Sequence, residues 1–481
     1  MKAGSVPSRG PARGLLNGRY AFLVVFGLAL ATRLLFIVLR DSVGLSEPAN
    51  PDSIGFQEQA RSVLAGTAYG SGPHSGLVAE TFFAPPLYPY FLAGIYALSG
   101  SSAQMVLVVQ AVIGAVTAVF IAGMAGRLFG PKALLAAGLL AATQPYLIMQ
   151  TAEFMTEPLF MFLYSASLLL CVVALTRTDD GALCRRWDNA DLAMTGSGAL
   201  LGAAMLCRPS PLPGLPVLFL SLVLVKRGCP FRARLFQAAL FAVAAILVMS
   251  PWVLRTYSLC HAWVPVACTA EFTLYIGNAP GWADAVFLRE EVAQGTRSMD
   301  DYFAMLGEHT PGWFARRALA AIGRDPHRFL RLSLARAKLW FKVLPERRGP
   351  PVRWALALWH YSVLFPLGVL GLAYSLRRRG SFAWVLLPFL LTMCLVHICA
   401  LPNMRYRVVL VDAVLLVFIS GLLVGPAEGV ACRLRQVCRR SVLSTYRHRR
   451  GCGGEALCCE HGPSSRATGV TLFLLVLTAV S

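Results

Sequence analysis

The segment "PLYPYFLAGIYALS" (Pro86–Ser99) decides the topology of this chain, because it is apolar but only 14 residues long. A helix needs about 20 residues to cross a bilayer. Every crossing moves the next connection to the opposite side, so the side of all later loops depends on whether this segment spans. Loop charge can answer the question, since short cytoplasmic connections carry an excess of Lys and Arg.

The whole chain has the composition of a membrane protein. Of its 481 residues 56% are hydrophobic and only 14% are charged, about half the charged share of a soluble domain. Apolar runs of near-spanning length recur along it, which predicts an all-α polytopic protein. These runs cover residues 20–39, 103–126, 132–149, 156–175, 191–207, 211–225, 235–254, 352–376, 382–400 and 408–425.

Loop charges favour a Pro86–Ser99 segment that does not span. With a cytoplasmic N-terminus, the Arg- and Lys-rich connections then all face the cytoplasm, as the positive-inside rule requires. If it spanned, every later basic loop would face outward. The sequence therefore predicts about ten transmembrane helices, both termini inside, and a juxtamembrane helix in the first outer loop. The basic connections are Arg127–Lys132, Arg177–Arg186, Lys226–Arg234, Arg377–Arg379 and the tail from Arg433.

This topology divides the chain into five predicted parts. The second outer segment is too long for a plain connection and should be partly helical. Its spacing of Leu330, Leu334, Trp340 and Phe341 indicates helices lying on the membrane. The parts are a cytoplasmic basic N-terminus (1–19), a first transmembrane module (20–255) with an outer catalytic loop (40–102), an outer helical segment (256–351), a second transmembrane module (352–425) and a basic cytoplasmic tail (426–481).

Two acidic residues of the first outer loop are candidates for chemistry. Asp52 follows Asn-Pro, so it could serve as a general base at the membrane edge or start a helix that ends near Gly66. Glu80 lies beside aromatic residues, where an acid needs a partner; a functional role and a structural ion pair are both open. Glu157, between Thr156 and Pro158, has the pattern of an ordinary helix start.

Basic residues at the outer ends of spans are candidates for binding a phosphate. An isolated arginine at a helix end usually extends to the lipid headgroups, but several on one side can bind a lipid phosphate. The candidates are Arg208, Arg255, Arg405 and Arg407.

Other site classes find little support in the sequence. The net charge of +20 fits the positive-inside bias better than nucleic-acid binding. No phosphate-binding glycine loop or paired-His zinc motif occurs, and the tail cluster around Cys452, Cys458, Cys459 and His461 has no standard zinc spacing. No cofactor is predicted, and a divalent metal is left open.

Several stretches, taken in order, resemble one family: integral-membrane glycosyltransferases of the C-type (GT-C) fold, related to protein O-mannosyltransferases and to the aminoarabinose transferase that modifies lipid A. The resemblance runs from about residue 20 to 425. The stretches are "PDSIGFQEQARSVLAGTAYG" (51–70), "APPLYPYFLAGIYALSGSSAQMVLVVQ" (84–110), "RLFGPKALLAAGLLAATQPYLIMQTAEFMTEPLF" (127–160), "SPWVLRTY" (250–257), "LYIGNAPG" (274–281) and "RYR" (405–407).

The resemblance implies an activity and a site. Such enzymes transfer a sugar from a polyprenyl (undecaprenyl or dolichyl) phosphate to a lipid, glycan or protein acceptor on the outer face. Asp52 would take the acceptor's proton, and Arg255 would match a basic residue of the family. The chain departs from the pattern at Ser53, Phe56 and Ala84, where relatives often carry an acid, an aromatic hydroxyl and a basic residue, so metal assistance stays open.

Two other functions compete with the enzyme. A transporter or flippase of lipid-linked sugars would need ionisable residues deep in its spans, and here Arg33, His397 and Asp412 are the few within or near the runs. A non-catalytic binder of lipid-linked sugars is the third possibility. A first helix without a cleavage site and the absence of Asn-X-Ser/Thr acceptor sites favour a bacterial inner membrane, although an enzyme of the endoplasmic reticulum would look similar.

Overall fold

The computed structural model describes eight stretches of the chain, which all belong to one compact unit ending at Gly425. Within these stretches the secondary structure is helical and contains no strand, as predicted. The stretches are 11–42, 51–67, 84–176, 189–225, 230–288, 311–344, 351–377 and 382–425.

The helices follow the predicted apolar runs closely. Those before residue 261 are α1 (Pro11–Leu39), α2 (Pro51–Leu64), α3 (Leu87–Ser99), α4 (Ala103–Phe129), α5 (Pro131–Thr143), α6 (Pro145–Met149), α7 (Glu157–Thr176), α8 (Asn189–Cys207), α9 (Leu215–Val225) and α10 (Phe231–Cys260). The later ones are α11 (Thr269–Asn278), α12 (Trp313–Arg324), α13 (Pro326–Trp340), α14 (Pro351–Leu358), α15 (Phe365–Leu376), α16 (Ala383–Cys399) and α17 (Met404–Arg407), with π-helical turns at Asp284–Leu288, Trp359–Leu364 and Val408–Asp412.

Seven helices in the described stretches are long and apolar enough to cross a bilayer, or eight if the bent pair Pro131–Thr143 and Pro145–Ala152 forms one broken span. The bend is 58°. Two of the ten predicted spans are shorter apolar helices, Leu212–Leu224 and Ala383–Cys399, so the count of ten stays a prediction. The seven are Tyr20–Leu39, Ala103–Phe129, Glu157–Thr176, Asn189–Cys207, Phe231–Leu259, Trp354–Leu376 and Arg405–Gly425.

The decisive segment Pro86–Ser99 forms the 13-residue helix α3. At about 1.5 Å per residue it is roughly 20 Å long, short of the hydrocarbon thickness of about 30 Å. It ends at Gly100, whose φ of 64° is left-handed, a conformation that glycine adopts without strain. Tyr88 fixes it in place, donating a 2.8 Å hydrogen bond to Gln110 of α4 and meeting the Phe56 ring of α2 edge-on.

Helix α2 holds Asp52 in its first turn, directly after Pro51. Proline suits the first position of a helix, because its fixed φ is already helical and it has no N–H to leave unbonded. The helix ends at Leu64, and Gly66 follows with a φ of +69°, so the predicted end near Gly66 is correct.

The outer segment is partly helical, as predicted, and its described part attaches to the end of α16. Arg336 is fully buried and donates hydrogen bonds to the carbonyl oxygens of Cys399 (2.6 Å) and Ala400 (2.7 Å). These carbonyls end a helix and have no partner within it. Asn278 donates to the Cys399 carbonyl as well and accepts from Arg336. Together these bonds hold α11 and α13 against the end of α16.

An ion pair links two parts of the same segment. Arg328 of α13 binds both oxygens of Asp284, at 2.7 and 2.8 Å, and the Gly281 N–H donates to Asp284 as well. Burial would raise the pKa of Asp284, but the hydrogen bonds from Arg328 and Gly281 outweigh it and lower that pKa below its ordinary value. Of the four residues predicted to face the membrane, Leu330, Leu334 and Phe341 are exposed. Trp340 is fully buried.

Helices α8 and α10 approach so closely that glycine is required between them. A Cβ placed on Gly198 would lie 2.0 Å from the Phe241 carbonyl oxygen, and one on Gly202 would lie 2.5 Å from that of Ala245. Small residues permit this backbone approach, and van der Waals packing then holds membrane helices together. The pair forms one wall of the transmembrane module.

We therefore expect Gly198→Ala to destabilise the purified protein by about 1–3 kcal/mol, the usual cost of overpacking, because the Phe241 backbone must move. Thermal unfolding in detergent, followed by tryptophan fluorescence, measures this. Gly94→Ala is the matched control, since Gly94 lies in a helix with open space around it. A Gly198→Ala protein as stable as wild type would contradict the close approach.

Candidate active site

A cavity of about 670 Å³ opens where several helices of the transmembrane module end. Its wall includes Asp52 at the start of α2, Arg208 just after α8, His397 in the last turn of α16, and Arg405 and Tyr406 of α17. Residues of the predicted outer segment also line the cavity, including 263–267, 269–271 and 311–312. A concave, mostly apolar site with a few convergent polar groups is the usual form of a ligand site.

Arg405 joins two carboxylates at this wall. Its Nη2 lies 3.4 Å from Asp52 Oδ2, and its Nε lies 2.8 Å from Glu157 Oε1. Arg208 Nη1 lies 2.8 Å from the same Glu157 oxygen and donates a 3.1 Å hydrogen bond to Thr156. One buried carboxylate thus binds two guanidinium groups, and one of these reaches the carboxylate in the cavity.

The exposure of each side chain indicates whether a ligand can reach it. The Glu157 side chain is 0% exposed, while those of Arg208 and Arg405 are 9% and 23% exposed and that of Asp52 is 55% exposed. A buried carboxylate is tolerated only when it is paired and hydrogen-bonded. Glu157 is therefore the internal anchor, and Asp52 is the acid that a ligand can reach.

The two arginines present guanidinium groups at the cavity wall. Arg405 pairs with Asp52 across 3.4 Å as well as with the buried Glu157, and the Glu153 carboxylate also interacts with it. The Tyr406 ring lies against both arginines, with its centroid 4.4 Å from Arg208 Cζ and 5.8 Å from Arg405 Cζ. Such a site can bind an anionic group, since guanidinium groups bind phosphate oxygens in a two-pronged manner.

The local sequence places these groups at helix ends. Glu157 opens α7 and is followed by Pro158, and α8 ends one residue before Arg208. A carboxylate in the first turn is favoured by the helix dipole. Because α7 begins and α8 ends on the same side of the module, residues distant in sequence meet there, and Arg405 at the start of α17 joins them.

The structure brings together only part of the predicted site. Asp52, Arg208 and Arg405 line the cavity together. Arg255 does not line it; its guanidinium lies 4.9 Å from the Trp252 ring centroid on α10. Arg407 does not line it either, and Glu80 lies outside the described residues.

Glu157 is the residue that the sequence interpretation missed. Its setting between Thr156 and Pro158 indicated an ordinary helix start, which it also is. A signal was available, because the predicted topology already placed Glu157, Arg208 and Arg405 on the outer side. An acid and two arginines at neighbouring helix ends on one side of a membrane are expected to pair.

Arg407 belongs to a separate, buried polar cluster. Its Nε lies 3.1 Å from Asp412 Oδ2, and its Nη1 donates to the Trp340 carbonyl oxygen at 2.5 Å. Asp412 also meets His360 Nε2 at 2.8 Å, and His360 Nδ1 lies 2.6 Å from Gln144 Nε2. Charges inside a membrane protein pair in this way, and here they fix the helix that carries Arg405 and Tyr406 at its start.

The described residues contain no group of three His, Cys, Asp or Glu side chains that could hold a metal ion. The guanidinium of Arg405 is one partner of Asp52, and its positive charge disfavours a metal cation on the same carboxylate. No step of the mechanism below is therefore assigned to a metal.

Residues 84–254 match the family model described as dolichyl-phosphate-mannose-protein mannosyltransferase. Comparison with curated protein sequences gives no match. The matched stretch holds α3 to α9 and most of α10, and with them Glu157 and Arg208 of the ion-pair cluster.

Solved structures with a similar fold include two of the oligosaccharyltransferase from Archaeoglobus fulgidus. The complex of that enzyme with zinc and sulfate is 15% identical, with a TM-score of 0.50, covering 89% of this chain and 51% of that one. The AglB complex with an inhibitory peptide and a dolichol-phosphate is 14% identical, with a TM-score of 0.52, covering 96% and 54%. This chain therefore spans about half the length of those proteins.

ArnT from Cupriavidus metallidurans bound to undecaprenyl phosphate is also similar, at 17% identity and a TM-score of 0.39, covering 87% of this chain and 79% of that one. With the family match and the fold shared with the archaeal enzyme, the resemblance found in the sequence is confirmed: the chain is an integral membrane protein with the C-type glycosyltransferase fold.

We expect Glu157→Gln to destabilise the protein by about 3–5 kcal/mol, the usual effect of breaking a buried ion pair, because two guanidinium groups lose their shared counter-charge. Thermal unfolding in detergent measures it. Glu58→Gln is the control, since Glu58 is exposed on α2 and the chemical change is the same. Equal unfolding temperatures for the two variants would show that Glu157 is not the anchor of the cluster.

Proposed function

We propose that this protein is a membrane glycosyltransferase that moves a sugar from a polyprenyl phosphate to a lipid, glycan or protein acceptor on the outer face of the membrane. One observation carries the proposal: Arg405 joins the buried Glu157 to the cavity-facing Asp52. A guanidinium that can stabilise the leaving phosphate therefore lies beside a carboxylate that can take the proton of the acceptor. The family match and the fold support the same activity.

The donor phosphate binds at Arg405 and Arg208. Glu157 holds both guanidinium groups and stays buried, so the phosphate meets positive charge that is already in position. Preorganised charge of this kind stabilises a leaving group as its own charge develops. The apolar part of the cavity wall receives the adjoining end of the lipid.

Asp52 acts as the general base. Asp52 pairs with Arg405 at 3.4 Å, and it is released when the donor phosphate binds that guanidinium. The acceptor oxygen or nitrogen attacks the anomeric carbon and forms the new bond, while its proton passes to Asp52. The bond between the anomeric carbon and the phosphate oxygen breaks, and the lipid phosphate leaves with the electron pair and is neutralised by Arg405.

The other predicted site residues are not assigned to the transfer step. Glu80 stays a candidate second carboxylate in the first outer loop. Arg255 and Arg407 are not assigned to the phosphate, because neither lines the cavity. Arg407 instead supports the helix that carries Arg405.

A transporter or flippase is less well supported by the described residues. Such a protein needs ionisable groups along a path through the membrane. Here Arg407 and His360 both bind Asp412, and none of the three lines the cavity. A protein that only binds lipid-linked sugars would share the cavity and lack the transfer, so the assay below separates it from the enzyme.

The location follows from the proposed activity. We place the enzyme in a bacterial inner membrane, with the cavity outside, which the absence of Asn-X-Ser/Thr acceptor sites supports. Membrane lipids surround it, and its excess of basic residues serves membrane topology and not nucleic-acid binding.

Transfer of a labelled sugar from a polyprenyl phosphate tests the proposal. We expect Asp52→Asn to lower the rate about a hundredfold or more, because general-base catalysis contributes that much, while binding of the donor persists. Asp41→Asn is the control, since Asp41 lies in the same loop but does not line the cavity.

Three outcomes would change the account. Transfer by Asp52→Asn at the wild-type rate would remove Asp52 as the base and direct the search to Glu80. An equal loss in Asp41→Asn would indicate a general defect of the loop. Donor binding without any transfer by wild type, tested with several sugars and acceptors, would favour the binder.

A further inference from the structure

His397 is a buried histidine in the cavity wall, and it has no role in the proposed transfer reaction. It lies in the last turn of α16 and is 5% exposed. Its Nε2 atom has no hydrogen-bond partner among the described residues. Buried polar atoms in native proteins are nearly always paired, so an unpaired one in the wall of a cavity points to a ligand.

The imidazole ring is held firmly in place. It stacks on Trp340 with ring centroids 5.0 Å apart and an interplanar angle of 11°. Trp340 is itself fully buried, and its carbonyl accepts from Arg407. The His397 ring also bonds to the backbone of Leu401, and because Nε2 is unpaired this bond falls to Nδ1. The direction of Nε2 is therefore fixed before a ligand binds.

The position of His397 relative to the arginines indicates which part of a ligand it meets. The Tyr406 ring separates them: its centroid is 4.4 Å from Arg208 Cζ and 5.1 Å from the His397 ring. His397 is thus one aromatic ring away from the proposed phosphate site. A donor with its phosphate at Arg405 and Arg208 would bring one of the two groups attached to that phosphate, the sugar or the lipid chain, close to His397. Of these two groups the sugar alone carries hydroxyls that can pair with the polar Nε2 atom.

We propose that His397 Nε2 hydrogen-bonds to a hydroxyl of the donor's sugar and helps the site distinguish the sugar-bearing lipid from the bare lipid phosphate. This rests on the function proposed above. With Nδ1 donating to the Leu401 carbonyl, the neutral ring presents Nε2 as an acceptor. A sugar hydroxyl can donate to that atom, whereas the oxygens of a phosphate diester only accept.

Two substitutions separate this role from a structural one. Asn places its amide nitrogen near the position of Nδ1 and can keep the bond to Leu401, but it has nothing at Nε2. Gln reaches the position of Nε2 and cannot keep the Leu401 bond. Binding of the sugar should therefore survive His397→Gln and fail in His397→Asn, whereas a purely structural histidine gives the opposite order.

The experiment measures binding to the full-length protein in lipid nanodiscs. The probes are undecaprenyl phosphate and the same lipid carrying mannose or aminoarabinose. We expect wild type to bind at least one sugar-bearing lipid about tenfold more tightly than the bare lipid, or about 1.4 kcal/mol. His397→Asn should lose that advantage and bind the bare lipid as before, and His397→Gln should keep most of it.

Three results would overturn the proposal. They are a larger loss in His397→Gln than in His397→Asn, an equal loss for bare and sugar-bearing lipids, and no advantage for either sugar in wild type. Arg405→Gln in the same assay separates this from the proposed function. If Arg405→Gln leaves the binding of all three lipids unchanged, the proposed phosphate site is wrong. The relative affinities of His397→Asn and His397→Gln for the sugar-bearing lipids still test the contact with the sugar.

Discussion

The buried carboxylate of Glu157 is the constraint on which the arrangement of the site depends. A charge with no exposure to solvent must be neutralised by its neighbours, and here two guanidinium groups do so at 2.8 Å each. One comes from the end of α8 and the other from the start of α17. The ends of three helices are therefore fixed to one another by a single side chain, and the cavity lies beside that junction.

The outer segment depends on the same module through different bonds. Arg336 and Asn278 bind the free carbonyl end of α16, and Trp340 stacks on His397 of that helix. The side of the cavity formed by the outer segment is thereby held against the side that carries the arginines. This arrangement favours a site whose charged groups are positioned before a ligand binds, which is what electrostatic stabilisation of a leaving phosphate requires.

Hydropathy and loop charge predicted much of the fold, because the bilayer imposes both on the sequence. They predicted the positions of the seven helices that are long enough to span and of the short helix at Pro86–Ser99. They did not give the break after Thr143, where the run predicted over 132–149 bends by 58°. Pro145 is the local cause, because the residue before a proline is disfavoured in a helix and Gln144 is extended. At that break Gln144 bonds to the Leu147 N–H and to His360, 216 residues away, and no local pattern records such a contact.

The candidate site was predictable only where single residues carry a signal of their own. Asp52 stands in a turn motif, and Arg208 and Arg405 are charges at the ends of apolar runs. The contact between them arises from the tertiary structure, since Asp52 and Arg405 are 353 residues apart in the sequence. Glu157 and His397 resemble ordinary helix residues in the sequence, and only burial and partners reveal their roles. Arg255 and Arg407 also lie at the ends of apolar runs, as Arg405 does. In the fold, however, Arg255 packs on Trp252 and Arg407 binds Asp412, and neither lines the cavity.

The exchange of partners at Arg405 is the central claim, and a structure determined with bound undecaprenyl phosphate tests it most directly. The account predicts phosphate oxygens within hydrogen-bond distance of the Arg405 and Arg208 guanidinium groups, an unchanged bond from Arg405 to Glu157, and Asp52 turned from Arg405 toward the open cavity. A phosphate bound away from both arginines, with the contact between Asp52 and Arg405 still in place, would contradict it.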